Sequence, residues 1–393
     1  VTTEFYINDR GVQMDKFGIS VMAAASGEAV PEDGYHGGYI LDLAAQINRE
    51  HPEFRQLPAE EQMVAFREEA YALQWQQQKD VLELFRTHFD VWYSERKLYD
   101  SGAVERAQAR LEAQGHVFES EGALWLRTTT FGDDKDRVLI KENGERTYFA
   151  ADTAYYVDKR MRGFDTAIYL LGADHHGYVN RLRAVAACAG DNMHENIEIL
   201  IGQLVKITRG GVEVKLSKRS GQIVTLKELV EEVGVDAARY TLARYPVETP
   251  LVVDLEEIAR KANDNPVFYV QYAHARISSV LRNAEDIGAK WRESAFIPEL
   301  LDMKQENELL GVIEKFPAVI ATAAELREPH RVARFLEELA SAYHRFYDAC
   351  RVLPRSDEEL GSVHIARLWV CAATQQTLAN GLELLGVTAR EKM

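Results

Sequence analysis

The sequence predicts an α/β protein whose parallel sheet carries an inserted α+β region and gives way to an all-helical C-terminal bundle. Three observations carry this prediction. Residues 151–205 alternate helix and strand: a helix near 153–162, the apolar run TAIYLLG (166–172), a helix over 178–189 and IEILIG (197–202). That βαβ rhythm implies parallel strands. Upstream, a helical stretch from Gly38 to about Gly115 gives way to short strand-like segments, ALWLRTT (123–129), RVLIK (137–141) and RTYFA (146–150). From about residue 256 no strand pattern remains. Instead Val332, Phe335, Leu336, Leu339, Tyr343, Phe346, Tyr347 and Cys350 recur at three and four residues, and so do Ile365, Leu368, Trp369, Ala372, Leu378, Leu382 and Leu385, with a slip near 375. Such stripes are the core faces of a helical bundle.

The elements follow in order. Residues 1–30 read as a strand and a helix, closed by the turn-rich PEDGYHGG (31–38). Within the helical stretch, HFDVWYSE (88–95) is an extended interruption rich in aromatic and β-branched residues. KITRGGVEVKLSKRSGQIVTL (206–226) reads as a hairpin or loop with two turn glycines and a cationic tip. The expected segments are therefore 1–30, part of the sheet domain; 31–130, an insertion; 131–255, the second half of the sheet domain; and 256–393, the bundle.

Composition narrows the function classes. With 393 residues, 46% apolar and 27% charged, the chain has the makeup of an ordinary globular protein of two or three domains. No apolar run approaches the ~20 residues of a membrane span, and the opening VTTEFYINDRG is too polar for a signal peptide. A net charge of −16 argues against general nucleic-acid affinity, although an acidic body can carry a local basic face. Cys188, Cys350 and Cys371 share no metal-like spacing and sit in apolar helical contexts, which suits buried thiols of a cytoplasmic protein.

Two motifs carry chemistry. GADHHGY (172–178) follows a strand and precedes a helix, and the carboxyl end of a parallel strand is where such sheets bind ligands. Gly172 allows close approach of a nucleotide, Asp174 can accept from ribose hydroxyls, and His175 and His176 can donate to anionic groups. A polar strand end with a helix cap accounts for the motif equally well. A zinc site is disfavoured, because adjacent histidines on a turn splay apart and no further ligand cluster accompanies them. KLSKRSG (215–221) sets three cations and two hydroxyls on a glycine-flanked loop, suited to clamping developing polyphosphate charge. Taken alone, a solvated basic loop is its commoner origin. Two such motifs some forty residues apart, each in fitting context, favour nucleotide chemistry.

KLSKR resembles the Lys-Met-Ser-Lys-Arg signature of class I aminoacyl-tRNA synthetases, with Leu216 replacing Met. FYINDRGVQ (5–13), FDVWYSE (89–95), FGDDKDRVLIK (131–141), GADHHGY, EVGVDAARY (232–240), NDNPVFYVQYAHARI (263–277) and EPHRVARFLEEL (328–339) resemble the bacterial arginyl-tRNA synthetases. The resemblance spans essentially the whole chain. It implies a class I Rossmann-type domain, ATP with Mg2+ and no protein-held metal, and L-arginine and tRNA-Arg as substrates. It also implies a cytoplasmic monomer with no membrane association. Catalysis falls to Lys215, Ser217, Lys218 and Arg219, with Lys218 on the triphosphate. ATP binding falls to Gly172, Asp174, His175 and His176. A Tyr-x-x-x-Asp element that grips the arginine side chain matches Tyr148 and Asp152, with His175 nearby, since a carboxylate can accept the planar guanidinium fork bidentately. Without the resemblance, Asp152 reads as a helix N-cap.

The bundle resembles the family's anticodon-binding domain. Tyr269, Gln271, Tyr272, His274 and Arg276 offer the aromatic faces, hydrogen-bonding groups and cation that unstacked bases require, although helical spacing divides them between two faces. FGDDKDRVLIK (131–141) could touch tRNA or form a salt-bridged turn, and the turn is the favoured reading. The family's second signature, His-x-Gly-His, does not occur in these 393 residues. The expectation is that an upstream quarter to third of the enzyme, with an RNA-contacting domain, is absent, that the sheet shows an uncovered edge, and that the chain alone is inactive. Alternatives are an inactive fragment or paralogue kept as a tRNA-binding module, or a synthetase for another amino acid.

Overall fold

The computed structural model describes residues 1–214, 225–262, 264–355 and 358–393. Two compact units result: one takes in most of residues 1–204, the other residues 84–86, 205–214 and 224–393.

In the first unit, β1 (Glu4–Ile7) leads into α1 (Val12–Ser26), and α2 (Gly38–Glu50) and α3 (Ala59–Leu84) follow. Met14, Phe17, Val21, Ile40, Leu43, Ile47 and Phe66 bury one another between these three helices. Next come β2 (Val91–Ser94), α4 (Glu95–Asp100), α5 (Ala103–Ala113) and the antiparallel strands β3 (Val117–Ser120), β4 (Ala123–Leu126) and β5 (Arg137–Ile140). The βαβ segment is α6 (Tyr148–Met161), β6 (Ala167–Gly172), α7 (Val179–Cys188) and β7 (Ile197–Gly202). Its strands are parallel, as the alternation predicts, with Ala167 opposite Ile197 through Gly172 opposite Gly202. β1 and β2 form a second parallel pair. Within this unit the described parallel strands therefore stand as two pairs, and Ile168 and Leu170 lie exposed on β6.

Two local expectations are corrected. RTYFA is not a strand: only Arg146 bridges to Ile140, and Tyr148 opens α6. The reason is Thr147, whose hydroxyl accepts from Ala150 N and caps the helix, overriding the β propensity of its aromatic neighbours. The strand β3 went unread. It forms a hairpin with β4 through Glu121 and Gly122, both at positive φ, a turn signal present in the sequence. FGDDKDR is internally bonded, as expected. Arg137 donates to both carboxyl oxygens of Asp133 at 2.8 Å, and Asp136 accepts from Thr129.

The second unit contains β8 (Val205–Arg209), β9 (Val212–Glu213), α8 (Leu226–Val233), α9 (Val235–Ala243), β10 (Leu251–Asp254) and α10 (Leu255–Ile258). The helices α11 (Pro266–Asp286), α12 (Lys304–Glu314), α13 (Phe316–Leu326), α14 (His330–Ala349) and α15 (Ser362–Leu384) follow. Leu336, Leu339, Tyr343 and Phe346 of α14 and Leu368, Leu378 and Leu382 of α15 fill the bundle core, as their spacing predicts. The core reaches back past residue 256 to Ala237 and to Tyr240, whose hydroxyl donates to Ala333 O at 3.0 Å. The self-contained helical unit is therefore larger than 256–393. Cys188, Cys350 and Cys371 are buried free thiols. Among the described residues no helix is long and apolar enough to cross a membrane, and no group of His, Cys, Asp or Glu is disposed to hold a metal ion.

Candidate active site

Helix α6 places Asp152, and its geometry removes the capping explanation. Thr147 is the N-cap, so Asp152 sits in the second turn, past the free N–H groups that a cap satisfies. Its carboxylate makes no hydrogen bond or ion pair among the described residues. Burial pushes its pKa up to about 6, against the opposing fields of Arg181 and His175. A half-buried carboxylate without a partner is costly unless something else supplies one. Tyr148, one turn earlier, is 71% exposed, with its hydroxyl toward Gly11.

The structure adds a second carboxylate that the sequence reading missed. Glu95 opens α4, is buried, and likewise has no hydrogen-bonding or ionic partner among the described residues. Burial raises its pKa, Arg10 opposes the shift, and Asp9 and Asp152 reinforce it. Glu95 is fixed by its neighbours: Ser94 Oγ and the Arg96 backbone N–H donate to the two carboxyl oxygens of Asp9 at 2.5 and 3.0 Å, and Tyr71 adds a third bond at 3.1 Å. Asp9 thus clamps the residues on either side of Glu95. FYINDRG and FDVWYSE supply Asp9 and Glu95, but they lie more than eighty positions apart. Only the parallel pairing of β1 with β2 brings them together.

Tyrosines complete the surroundings of Asp152. Burial, reinforced by the negative field of Asp152 and for Tyr6 also by that of Glu95, raises the pKa of both Tyr6 and Tyr169. The Tyr169 hydroxyl is buried without a hydrogen-bond partner among the described residues. Two carboxylates and several aromatic groups converge here, the complement of a planar organic cation.

GADHHGY forms a tight turn between β6 and α7, at the carboxyl end of β6. Gly172, Asp174, His175 and His176 are exposed. Asp174 Oδ2 lies 3.5 Å from His175 Nε2. A Cβ at Gly172 would fall 2.7 Å from Asp174 Oδ1, so only glycine leaves that carboxylate where it is. Lys215, Ser217, Lys218 and Arg219 lie outside the described residues.

On the bundle, the five residues proposed for RNA divide between two faces of α11. Gln271 and His274 point inward and are corrected here as RNA-facing candidates. Gln271 Nε2 donates to Asp236 Oδ2 at 3.0 Å and to Thr388 O at 2.8 Å, and His274 Nδ1 lies 2.8 Å from Arg390 O. Both are buried and spent on holding the C-terminal tail. Tyr269, Tyr272 and Arg276 share the other face, at i, i+3 and i+7, and are half-buried. They meet two residues of α14: His344, which the sequence reading did not single out, and Tyr347, which its spacing assigned to the core stripe. The His344 ring lies 5.0 Å from that of Tyr269 and 5.8 Å from that of Tyr272, and the Arg276 guanidinium sits 4.2 Å over the Tyr347 ring. His344 and Tyr347 lie in a periodic helix, where their pattern does not distinguish contact surface from core.

Comparison with known proteins identifies the family. A family model described as "tRNA synthetases class I (R), catalytic domain" matches residues 59–280, and one described as "DALR anticodon binding domain" matches residues 270–393. The chain is 55% identical over 390 residues to the arginine–tRNA ligase of Frankia alni, covering 99% of this chain and 71% of that protein. It is 55% identical to that of Paenarthrobacter aurescens, covering 100% and 70%. The Thermus thermophilus arginyl-tRNA synthetase structure shares the fold, with a TM-score of 0.75 at 22% identity, covering all of this chain and 76% of that one. By its catalytic-domain match and by relatives identical at more than half of the aligned positions, the chain belongs to the arginyl-tRNA synthetase family.

Proposed function

We propose that Asp152 and Glu95 are the guanidinium receptor through which this chain selects arginine for ATP-dependent attachment to tRNA. The observation that carries this is the pair of carboxylates within each other's electrostatic reach, neither of them bonded to a cation among the described residues. Two buried like charges without counter-ions repel one another and lose solvation. A guanidinium placed between them relieves both costs and offers five donors in a fixed plane. Lysine offers a point charge that cannot serve both carboxylates in the same geometry. Tyr148, Tyr6 and Tyr169 provide the aromatic wall, and Asp9 keeps Glu95 in place.

With the side chain anchored, the carboxylate of arginine attacks the α-phosphate of ATP, giving arginyl-adenylate and pyrophosphate. A terminal ribose hydroxyl of tRNA then displaces AMP. Gly172, Asp174, His175 and His176, in and before the turn that follows β6, are assigned to the nucleotide. Lys215, Ser217, Lys218 and Arg219 are assigned to the polyphosphate, which arrives with Mg2+ as part of the substrate. In a polypeptide that also carries a His-x-Gly-His element, Lys218→Ala should lower kcat of activation by about 10²–10³-fold with little change in the KM for arginine. Single-turnover adenylate formation measures it, and full turnover in the variant would remove Lys218 from the mechanism. The chain is further assigned as a cytoplasmic monomer.

The test is arginine binding to the 393-residue chain by calorimetry across pH. Arginine pairs with ionised Asp152, whose pKa lies at about 6. Affinity should therefore be full at pH 8, fall about twofold at pH 6 and about tenfold at pH 5. Citrulline, which has the shape of arginine without its charge, should bind at least about 100-fold more weakly. A chain that binds tRNA but no arginine would instead be a tRNA-binding module.

For the bundle we assign Tyr269, Tyr272, Arg276, His344 and Tyr347 to the anticodon, leaving Gln271 and His274 to the tail. Loss of one stacking aromatic typically costs about 1–3 kcal/mol per base. Tyr272→Ala should accordingly weaken tRNA-Arg binding by roughly 5- to 100-fold in filter-binding assays, with unchanged arginine affinity. Equal binding by variant and parent would return Tyr272 to the core.

A further inference from the structure

We propose that Arg181 is a positioning residue of the guanidinium pocket: a resident cation that faces Asp152 without bonding to it, keeps its carboxylate an acceptor in the empty site, and so sets the pH range in which arginine binds. This rests on the assignment of Asp152 to arginine.

Arg181 lies in the first turn of α7, which packs against α6. It is half-buried, yet it forms no ion pair and no hydrogen bond among the described residues, and its Nε is sealed from solvent without an acceptor. An arginine in a protein interior ordinarily satisfies its donors on a carboxylate or a carbonyl. Here the guanidinium instead stacks 4.1 Å over the Tyr178 ring, next to the nucleotide-facing turn. The stacking explains its orientation. It does not explain why a charge is kept beside an unpartnered carboxylate.

The electrostatics of Asp152 supply the reason. The groups facing it are Arg181 from α7, His175 from the turn before it, Tyr169 from β6, Tyr6 from β1 and Glu95 from α4. Burial works against the charged form of Asp152, and Glu95 adds a like charge nearby. Arg181 is the foremost opposing influence. A direct Arg181–Asp152 bond would block the substrate, because arginine would have to displace a tethered copy of its own side chain. A cation within electrostatic reach but out of contact stabilises the carboxylate and leaves its oxygens open. The cost is mild repulsion of the bound substrate's own cation.

These two effects have opposite signs at the two ends of the pH range, which a purely structural role would not produce. In the parent chain the Kd for arginine at pH 5.5 should exceed that at pH 8 by about fourfold. In Arg181→Met the ratio should rise above about tenfold, because Asp152 protonates earlier, while Kd at pH 8 stays equal or falls as the repulsion is removed. Arg181→Lys keeps the charge and should keep the parent ratio, and Arg181→Gln repeats the test should the methionine variant misfold. A ratio that remains near fourfold in the neutral variants, or a weakening equal at every pH, overturns the proposal. Carbon-13 NMR titration of the Asp152 carboxyl in the ligand-free chain separates the two assignments. If the parent binds no arginine at pH 8, the guanidinium receptor fails. The Asp152 midpoint still decides Arg181, since it must move up in Arg181→Gln and stay in Arg181→Lys.

Discussion

Replacing Asp152 by Asn should weaken arginine binding by about 2–5 kcal/mol, roughly 30- to several thousand-fold, while the protein stays folded. The substitution preserves shape and one acceptor but removes the charge that faces the guanidinium. Fold stability should not suffer, because Asp152 bonds to nothing among the described residues and Thr147 caps α6 in its place. Removing a buried, unpaired charge should if anything help. The raised pKa of Asp152 means that the folded state holds its proton more tightly than the unfolded chain does, so ionisation as pH rises through about 6 takes stability away. The asparagine variant escapes this, and its melting temperature at pH 8 should equal or exceed that of the parent. Calorimetric binding and thermal melts at pH 8 check both halves. Unchanged arginine affinity would detach Asp152 from substrate selection.

The second large effect concerns the tail of the bundle. Asp236, near the start of α9, is a buried acceptor for Arg86, Gln271, Thr388 and Arg390, at 2.9–3.2 Å. Burial alone would raise its pKa, but the donors from Thr388, Gln271 and Arg390 hold it below the usual carboxylate value. Asp236→Ala removes at once the buried acceptor shared by Arg86, Gln271, Thr388 and Arg390, which make five bonds to it. A loss of about 3–5 kcal/mol in the stability of the helical unit is expected from denaturant unfolding. The sign with pH follows: a depressed carboxylate pKa contributes stability above the unfolded-state value and loses it as pH falls through the folded one. The parent and Asp236→Ala should therefore converge in stability in strong acid. A loss below 1 kcal/mol at pH 7 would show that the tail is not anchored at this carboxylate.

Local sequence decided the elements whose cause is local. Hydrophobic periodicity identified β6, β7 and the bundle helices, because a buried face imposes its spacing on one segment regardless of its partners. The resemblance, spread over the chain, marked Tyr148, Asp152 and the GADHHGY turn, and the family is the one it implied. Tertiary structure decided everything that depends on two distant segments meeting. Asp152 reads equally well as a cap until Thr147 is seen occupying that place. Glu95 closes FDVWYSE, a segment of the resemblance that carried no assigned role, and Arg181 lies in no quoted segment; both become visible only as a carboxylate and a cation left unbonded beside Asp152. Gln271 and Tyr272 are adjacent in sequence and equally plausible for RNA. One degree of freedom, the rotation of α11 against the C-terminal tail, buries the first on Asp236 and leaves the second beside His344. Spacing along a chain fixes which side chains share a face, but which face turns inward is set by the partner that covers it.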